Sequence, residues 1–323
     1  MIGYYVHHHG SGHLHRARAV ARLWGPRITG LSSLPRPADW PGQWLQLDND
    51  APASADSDLT AGGQLHWVPR RHPGLRSRMG ALSQWILAAE PDLLVCDVSV
   101  EVALQARLHG VPVVTVVQPG VRTDNAHLLG YGISDALVAM WPASARIRTG
   151  LPVRLDSRIR HLGGLSRFGT AEAARVRHKS VAVLWGSGGD GPPLEALRLA
   201  RQQSPGWSWT LLGGPSWNAD PFTVLSEAQV VLTHAGQNSI AETAAARRPA
   251  IVIPQTRPFQ EQHVTAQALH DPAWPTTVLE DLPSHGWRSV LEQTSRLDGS
   301  AWSQWCDGEA AGRFVRVLQD VAA

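Results

Sequence analysis

The apolar positions of this chain come in short unbroken runs, each followed by a turn signal and then by helical spacing. Ile2–Val6 is the first run, closed by polar histidines. Gly10-Ser11-Gly12 turns the chain, and His13–Leu23 sets Leu14, Ala17, Val20 and Ala21 on one helical face. The rhythm repeats with a helix over Leu82–Ala89 ended by Pro91 and a strand over Leu93–Cys96 closed by Asp97. A helix over Val100–Leu108, stopped by Gly110, and a strand over Val111–Val117 follow. Runs that are apolar throughout suit strands covered on both faces, and βα alternation predicts a parallel sheet. Residues 32–64, rich in Pro, Ser, Asp and Gly, read as long loops with one short strand, Trp44–Leu47.

The pattern restarts after His161-Leu162-Gly163-Gly164, where two glycines and a following polar helix predict a hinge. Ser180–Trp185 is the next buried strand, leading into Gly186-Ser187-Gly188-Gly189. A helix near Leu194–Gln203, strands over Ser208–Leu212, Val230–Thr233 and Ala250–Pro254, and a last helix over Gly312–Val321 complete the count. The chain therefore reads as two α/β halves, with no internal repeat beyond the βα rhythm.

Composition narrows the class. With 323 residues the chain is long enough for two domains with proper cores. A net charge of +2 leaves no nucleic-acid footprint. Cys96 and Cys306 stand far apart and in no paired motif, which fits reduced thiols and a cytoplasmic setting. The start at Met1 reads as a strand and not a leader, and no run approaches the roughly 18 apolar residues of a membrane span. The basic stretch Arg70-Arg71-His72-Pro73-Gly74-Leu75-Arg76-Ser77-Arg78 offers peripheral contact with an anionic membrane or a phosphorylated acceptor; a solvated loop explains it equally. Most of the 14 tryptophans, among them Trp141, Trp185, Trp207, Trp217, Trp287 and Trp302, are expected to pack in the core.

The densest chemistry lies in Thr233-His-Ala-Gly-Gln-Asn-Ser-Ile-Ala-Glu242. A buried strand ends at His234, and Ala235-Gly236 opens a helix whose free N–H groups and positive dipole end suit an anion. Glu242, one turn in, can accept from sugar hydroxyls, and the downstream cluster Gln260-Glu261-Gln262 can do the same. Together they suit a nucleotide-sugar diphosphate. Ser239-Ile240-Ala241-Glu242 also has the form of a capping box, which by itself accounts for both polar residues. The Gln260–Gln262 cluster reads otherwise as a solvated loop, and Gly186-Ser187-Gly188 as a plain strand-to-helix turn.

The segment from Thr233 to Leu269 resembles the donor-binding signature of GT-B glycosyltransferases. It is most similar to the inverting UDP-sugar group of family 28 and family 1 type, which includes the peptidoglycan N-acetylglucosaminyltransferase. The chain departs from that pattern at Arg248, before Pro249, where glycine is usual. It departs again at Glu261, in place of an aspartate, and at Thr265, in place of an asparagine. The resemblance implies two Rossmann-like domains facing across a cleft: residues 1–163 on the acceptor side, 164–305 on the donor side, and a helix in 306–323 packing back on the first. It gives the donor to Gly186, Ser187, Gly188, His234, Ala235, Gly236, Gln237, Asn238, Ser239, Glu242, Gln260, Glu261 and Gln262. Glu242 would take the ribose hydroxyls, His234 a diphosphate oxygen, and Glu261 the sugar.

The loop His7-His8-His9-Gly10-Ser11-Gly12-His13-Leu14-His15-Arg16 resembles the glycine-rich loop that opens the acceptor domain in this superfamily. His13 stands at the position of the base that deprotonates the acceptor, and Asp97 is a carboxylate that can orient it. A helix-capping or phosphate-contacting role for His13 stays open. Gly12, Arg16 and Gln118 are expected on the acceptor or phosphate side. Five histidines within nine residues invite a metal, but their spacing matches no metal signature and the resemblance implies metal-independent transfer. No cofactor is expected. The expected function is thus inverting transfer from a nucleotide sugar, UDP-linked by resemblance, to a hydroxyl. A GT-B-like hydrolase or epimerase is the first alternative, since the pseudaminic-acid pathway hydrolase also opens with Gly-x-Gly-His-x-x-Arg. A non-catalytic sugar-nucleotide binder is the second.

Overall fold

A computed structural model describes all residues except 53–57, 172–174, 187–190, 192 and 214–219. The first sheet is built from β1 (Ile2–Val6), β2 (Ile28–Ser32), β3 (Gln43–Gln46), β4 (Leu93–Asp97), β5 (Val113–Val117), β6 (Ala136–Ala139) and β7 (Ile159–His161). Its helices are α1 (Gly12–Trp24), α2 (Pro73–Ala89), α3 (Val100–Leu108), α4 (Asn125–Ile133) and the short α5 (Val153–Asp156). The second sheet holds β8 (Ser180–Leu184), β9 (Ser208–Leu212), β10 (Val230–Thr233), β11 (Ala250–Val252) and β12 (Thr276–Val278). It is joined by α6 (Leu194–Gln203), α7 (Pro221–Glu227), α8 (Gln237–Ala245), α9 (Glu261–Leu269) and α10 (Trp287–Thr294); α11 (Ala310–Ala322) closes the chain.

The strand orders are β3-β2-β1-β4-β5-β6-β7 and β12-β11-β10-β8-β9, and every described pairing is parallel. In the first sheet the chain runs outward from β1 and then returns to β4 on β1's other side. In the second it runs from β8 to β9 and returns to β10 on β8's other side. Where the winding reverses, the loops after neighbouring strands part and leave a crevice at their carboxyl ends. The reversals fall between β1 and β4, and between β8 and β10.

Central strands are buried along their whole length, as their unbroken apolar runs require. The edge strands β3 and β12 are only partly buried, and β12 escapes the sequence pattern for that reason. The reading of residues 32–64 as loops stands corrected at its start: Ile28–Ser32 is a fully buried strand, disguised by Thr29, Gly30 and Ser32. Gly30 is small because the Trp44 ring fills the space: a Cβ there would lie 2.1 Å from it. Helix α2 begins at Pro73, well before Leu82, with the His72 side chain accepting from the Leu75 N–H. No helix follows Gly164 among the described residues 165–171. Phe168 stacks on Phe222 instead, with ring centres 4.9 Å apart.

Phe314, Val317 and Leu318 of α11 are buried among Ile2, Tyr4, Val20 and Leu93 of the first sheet and its helix. The two chain crossings between the halves lie side by side: the Gly164 N–H donates to the Trp305 carbonyl (2.6 Å), and Arg313 donates to the Leu162 carbonyl through Nε (2.8 Å) and Nη2 (2.6 Å). The position that needs glycine-like freedom before Pro249 is Arg247 (φ 58°), not Arg248. It ends α8 in the left-handed conformation. Its Nη1 donates to the carbonyls of Ala244 (2.6 Å) and Cys306 (2.7 Å).

Candidate active site

The loop after β1 turns into α1 and carries His13 to the end of β4. His13 Nδ1 lies 3.0 Å from Asp97 Oδ1. Asp97 is fully buried and His13 keeps about 20% of its side chain exposed. An anion so buried needs partners. Arg16, one turn further along α1, donates from Nη1 to the same oxygen (2.5 Å), and Tyr4 donates its hydroxyl to Oδ2 (3.4 Å). Burial pushes the Asp97 carboxyl up, but Arg16 and His13 outweigh it and hold it below its ordinary value. With Nδ1–H committed to Asp97, the Nε2 lone pair of His13 is free to accept a proton. Val98 follows in the left-handed region (φ 70°), rare for a β-branched residue and typical of strain held at functional sites.

Arg16 also reaches the other half: its Nη2 donates to Gln237 Oε1 (2.5 Å), on the first residue of α8. Gly12 meets the same helix end, where a Cβ would lie 1.9 Å from Asn238 Nδ2. The dyad of the first sheet thus faces the N-terminus of α8. That helix starts from Gly236 with no side-chain cap, so the expected capping box is not formed. Ser239 Oγ turns to His234 Nε2 (3.3 Å), and Glu242 is salt-bridged by Arg167, Nε to Oε1 at 2.9 Å. Burial raises the Glu242 carboxyl, with Arg167 opposing.

His234 is buried between two glycines. Gly236 N–H points at Nδ1 (3.0 Å) and Gly186 N–H at Nε2 (3.2 Å). Burial, with Arg257 adding to it, pushes the imidazole down to about 4, so the ring is neutral at pH 7. A neutral ring has a single acceptor nitrogen, so one of the two amides is left for an oxygen ligand. Ser187 and Gly188 lie outside the described residues. Ala235 is buried in the core. Gln262 is buried and turned inward, accepting from the Gln255 N–H (2.9 Å). Gln260 and Glu261 open α9, with Glu261 held by Arg122 (3.2 Å). Gln118 sits on the loop after β5.

Beside the dyad lies a cavity of about 390 Å³ lined by Tyr5, His7, Trp67, Leu75, Met79 and Val102, among others. Arg78, from the basic stretch, is not a surface charge: it is buried in this wall and paired with Asp50. Burial and the neighbouring His13, His8 and His9 push His7 down to about 3. The loop carrying Trp67 is fixed by Glu101 Oε1, which accepts from the N–H groups of His66 (2.7 Å) and Trp67 (3.0 Å).

Of the described residues, His66, Asp124 and His127 form the group spaced to hold a metal ion. They are also hydrogen-bonded to one another. Arg122 Nη1 donates to His127 Nε2 (3.3 Å), so His127 Nδ1 carries the proton and gives it to Asp124 Oδ2 (2.5 Å), while His66 Nε2 meets Oδ1 (3.1 Å). Burial raises the Asp124 carboxyl, yet these bonds bring it down to about 2. Arg122, Arg167 and His66 carried no sequence signal; of the cavity wall, His7, His8, His9, Leu75 and Arg78 fell within noted motifs. The tryptophans are core residues in the main: Trp141, Trp185, Trp287 and Trp302 are all buried, and Trp217 lies outside the described residues. Cys96 and Cys306 are free and buried. No described helix is long and apolar enough to cross a membrane.

Two Rossmann-like halves opposed across a cleft, with the His13–Asp97 pair in one and an uncapped helix end in the other, form a GT-B fold. Residues 222–281 match the glycosyltransferase family 28 C-terminal domain. MurG of Acinetobacter baumannii is similar in structure, with a TM-score of 0.62, 16% identity, and coverage of 99% of this chain and 99% of that one. So is CalG4, the calicheamicin glycosyltransferase (0.63, 15%, 99% and 98%). Os79 of O. sativa, solved with UDP, matches at 0.67 with 12% identity, covering 99% of this chain and all of that one. At such identities the likeness establishes the fold. No curated protein matches the sequence.

Proposed function

We propose that the chain is an inverting, metal-independent transferase that moves a sugar from a UDP-linked donor to an acceptor hydroxyl. Residues 1–163 would form the acceptor side, 164–305 the donor side, and 306–323 the helix that returns to the first. The observation that carries this reading is the His13–Asp97 dyad facing the N-terminus of α8 through Arg16 and Gln237. His13 takes the proton of a hydroxyl seated in the adjoining cavity, and the acceptor oxygen attacks the anomeric carbon. The bond to the diphosphate breaks on the opposite face. Its growing charge meets the N–H groups of Gln237, Asn238 and Ser239, the free amide beside His234, and Arg16. Glu242 would exchange Arg167 for the ribose hydroxyls.

Two orphaned groups support a polar ligand in this cleft. The side-chain amide nitrogens of Gln118 and Gln237 are buried without a partner. Each such group costs roughly 1–3 kcal/mol until an oxygen reaches it. The UDP bound in Os79 supports the choice of nucleotide. The cavity favours transfer over hydrolysis, since water needs no apolar chamber of that size. Exposed Arg70, Arg71 and Arg76 lie on the stretch that enters this wall and would meet an anionic membrane or acceptor; pelleting with anionic vesicles tests that contact.

The test is a thermal-shift screen with UDP, GDP, dTDP and their sugar conjugates, with Glu242→Ala as control. A selective rise with UDP compounds, lost in the variant, is expected. No rise with any nucleotide refutes the reading. Release of free sugar at full rate without acceptor would move it to a hydrolase.

A further inference from the structure

Arg122 stands on the loop after β5, in the acceptor half, yet its work is on the donor side. Its side chain is 5% exposed. It donates to the Pro119 carbonyl through Nε (3.2 Å) and Nη2 (3.0 Å), to His127 Nε2 through Nη1 (3.3 Å), and to Glu261 Oε2 through Nη2 (3.2 Å). Its guanidinium lies 4.4 Å from the centre of the Phe259 ring. One planar fork therefore ties its own loop, α4 and the first residue of α9 together. His127 meets it directly and is itself held by Asp124, which also meets His66.

The backbone repeats the connection. The Val121 N–H donates to the Phe259 carbonyl (2.8 Å). Gly120, at φ 104°, allows this approach, because a Cβ there would lie 2.4 Å from that same carbonyl oxygen. Opposite, Phe259 and Gln260 both take the left-handed conformation at φ 57°. Two successive non-glycine residues rest there only where their surroundings hold them. Part of that hold comes from the other half of the molecule, through residues 120–122.

We infer that Arg122 is a positioning residue for the donor sugar: across the cleft it holds the Phe259–Gln260 turn and the Glu261 carboxylate in the form that meets the sugar. This rests on the proposed role of Glu261. In the proposed reading the nucleotide lies elsewhere, against Gly186, α8 and Glu242. Loss of Arg122 therefore separates the sugar from the nucleotide, which a general weakening of the fold does not do.

Isothermal titration of Arg122→Met, Arg122→Lys, Gly120→Ala and Glu261→Gln with UDP, and with the UDP-hexose that shifts the melting point most, tests this. The Kd for UDP is expected to stay near the wild-type value, showing an intact donor half. The ratio of the UDP-hexose Kd to the UDP Kd is expected to rise about tenfold to a hundredfold in Arg122→Met, as for loss of a charged hydrogen bond. Gly120→Ala should raise it without touching a charge, and Arg122→Lys should fall between. A raised ratio in Glu261→Gln with none in the Arg122 and Gly120 variants overturns the inference alone. Unchanged ratios in all four overturn it together with the role given to Glu261. Equal weakening of UDP and UDP-hexose by the Arg122 variants makes the residue merely structural.

Discussion

An imidazole serves as a base only if one nitrogen keeps its lone pair and the other is held. Asp97 does the holding for His13 at 3.0 Å, and Arg16 with Tyr4 keeps that buried carboxylate ionised. His13→Ala is expected to lower kcat by about 10²–10⁴ with UDP affinity unchanged, measured by initial rates and titration. An equal loss of UDP binding would place His13 on the diphosphate instead. Asp97→Asn should cost stability as well as rate, because it leaves the Arg16 guanidinium buried without its counter-charge. The resemblance of the His13 loop singled out His13, and Asp97 and Arg16 were read from their places at a strand end and one turn into a helix. Arg122 and Arg167 looked like ordinary charges, because their partners lie 139 and 75 residues away.

The corner between β10 and α8 works as a unit, with His234 neutral in its centre. Its folded value of about 4 lies below the ordinary 6.5, so the unfolded chain binds the proton first as pH falls. Stability from this group is full above about pH 6.5 and falls away toward pH 4, by on the order of 3 kcal/mol. Melting curves across that window should show a steep decline in the wild type and a shallower one in His234→Asn. His127 and His15, each held near 4, tilt both curves the same way. On the neighbouring turn, Arg167→Ala leaves the Glu242 carboxyl buried without its cation and should cost roughly 2 kcal/mol. Saturating UDP should narrow that gap if ribose hydroxyls replace the guanidinium; an undiminished gap would place the ribose elsewhere. The capping box read from Ser239 and Glu242 failed for a local reason. The helix starts three residues earlier, at Gly236, so both side chains are inside it and free to face partners.

The molecule as a whole is closed by its last helix, which lays Phe314, Val317 and Leu318 against the first sheet. Phe314→Ala is expected to destabilise by about 3–5 kcal/mol, read by denaturant unfolding, although it lies far along the chain from Ile2 and Tyr4. Apolar runs and turn signals determined the two α/β halves, because a parallel strand buried on both faces must be apolar along its length. They determined helix α8 and the His13 loop, because glycine turns at strand ends are local features. Strands with a neutral or half-buried pattern, such as Ile28–Ser32 and Thr276–Val278, were decided by their neighbours in the sheet. Tertiary structure alone joined Arg16 to Asp97 and Gln237, Glu242 to Arg167, and Glu261 to Arg122. Those pairs form across the cleft or across sequence distances that no periodic pattern records, and burial of charge is what forces each of them to find its partner.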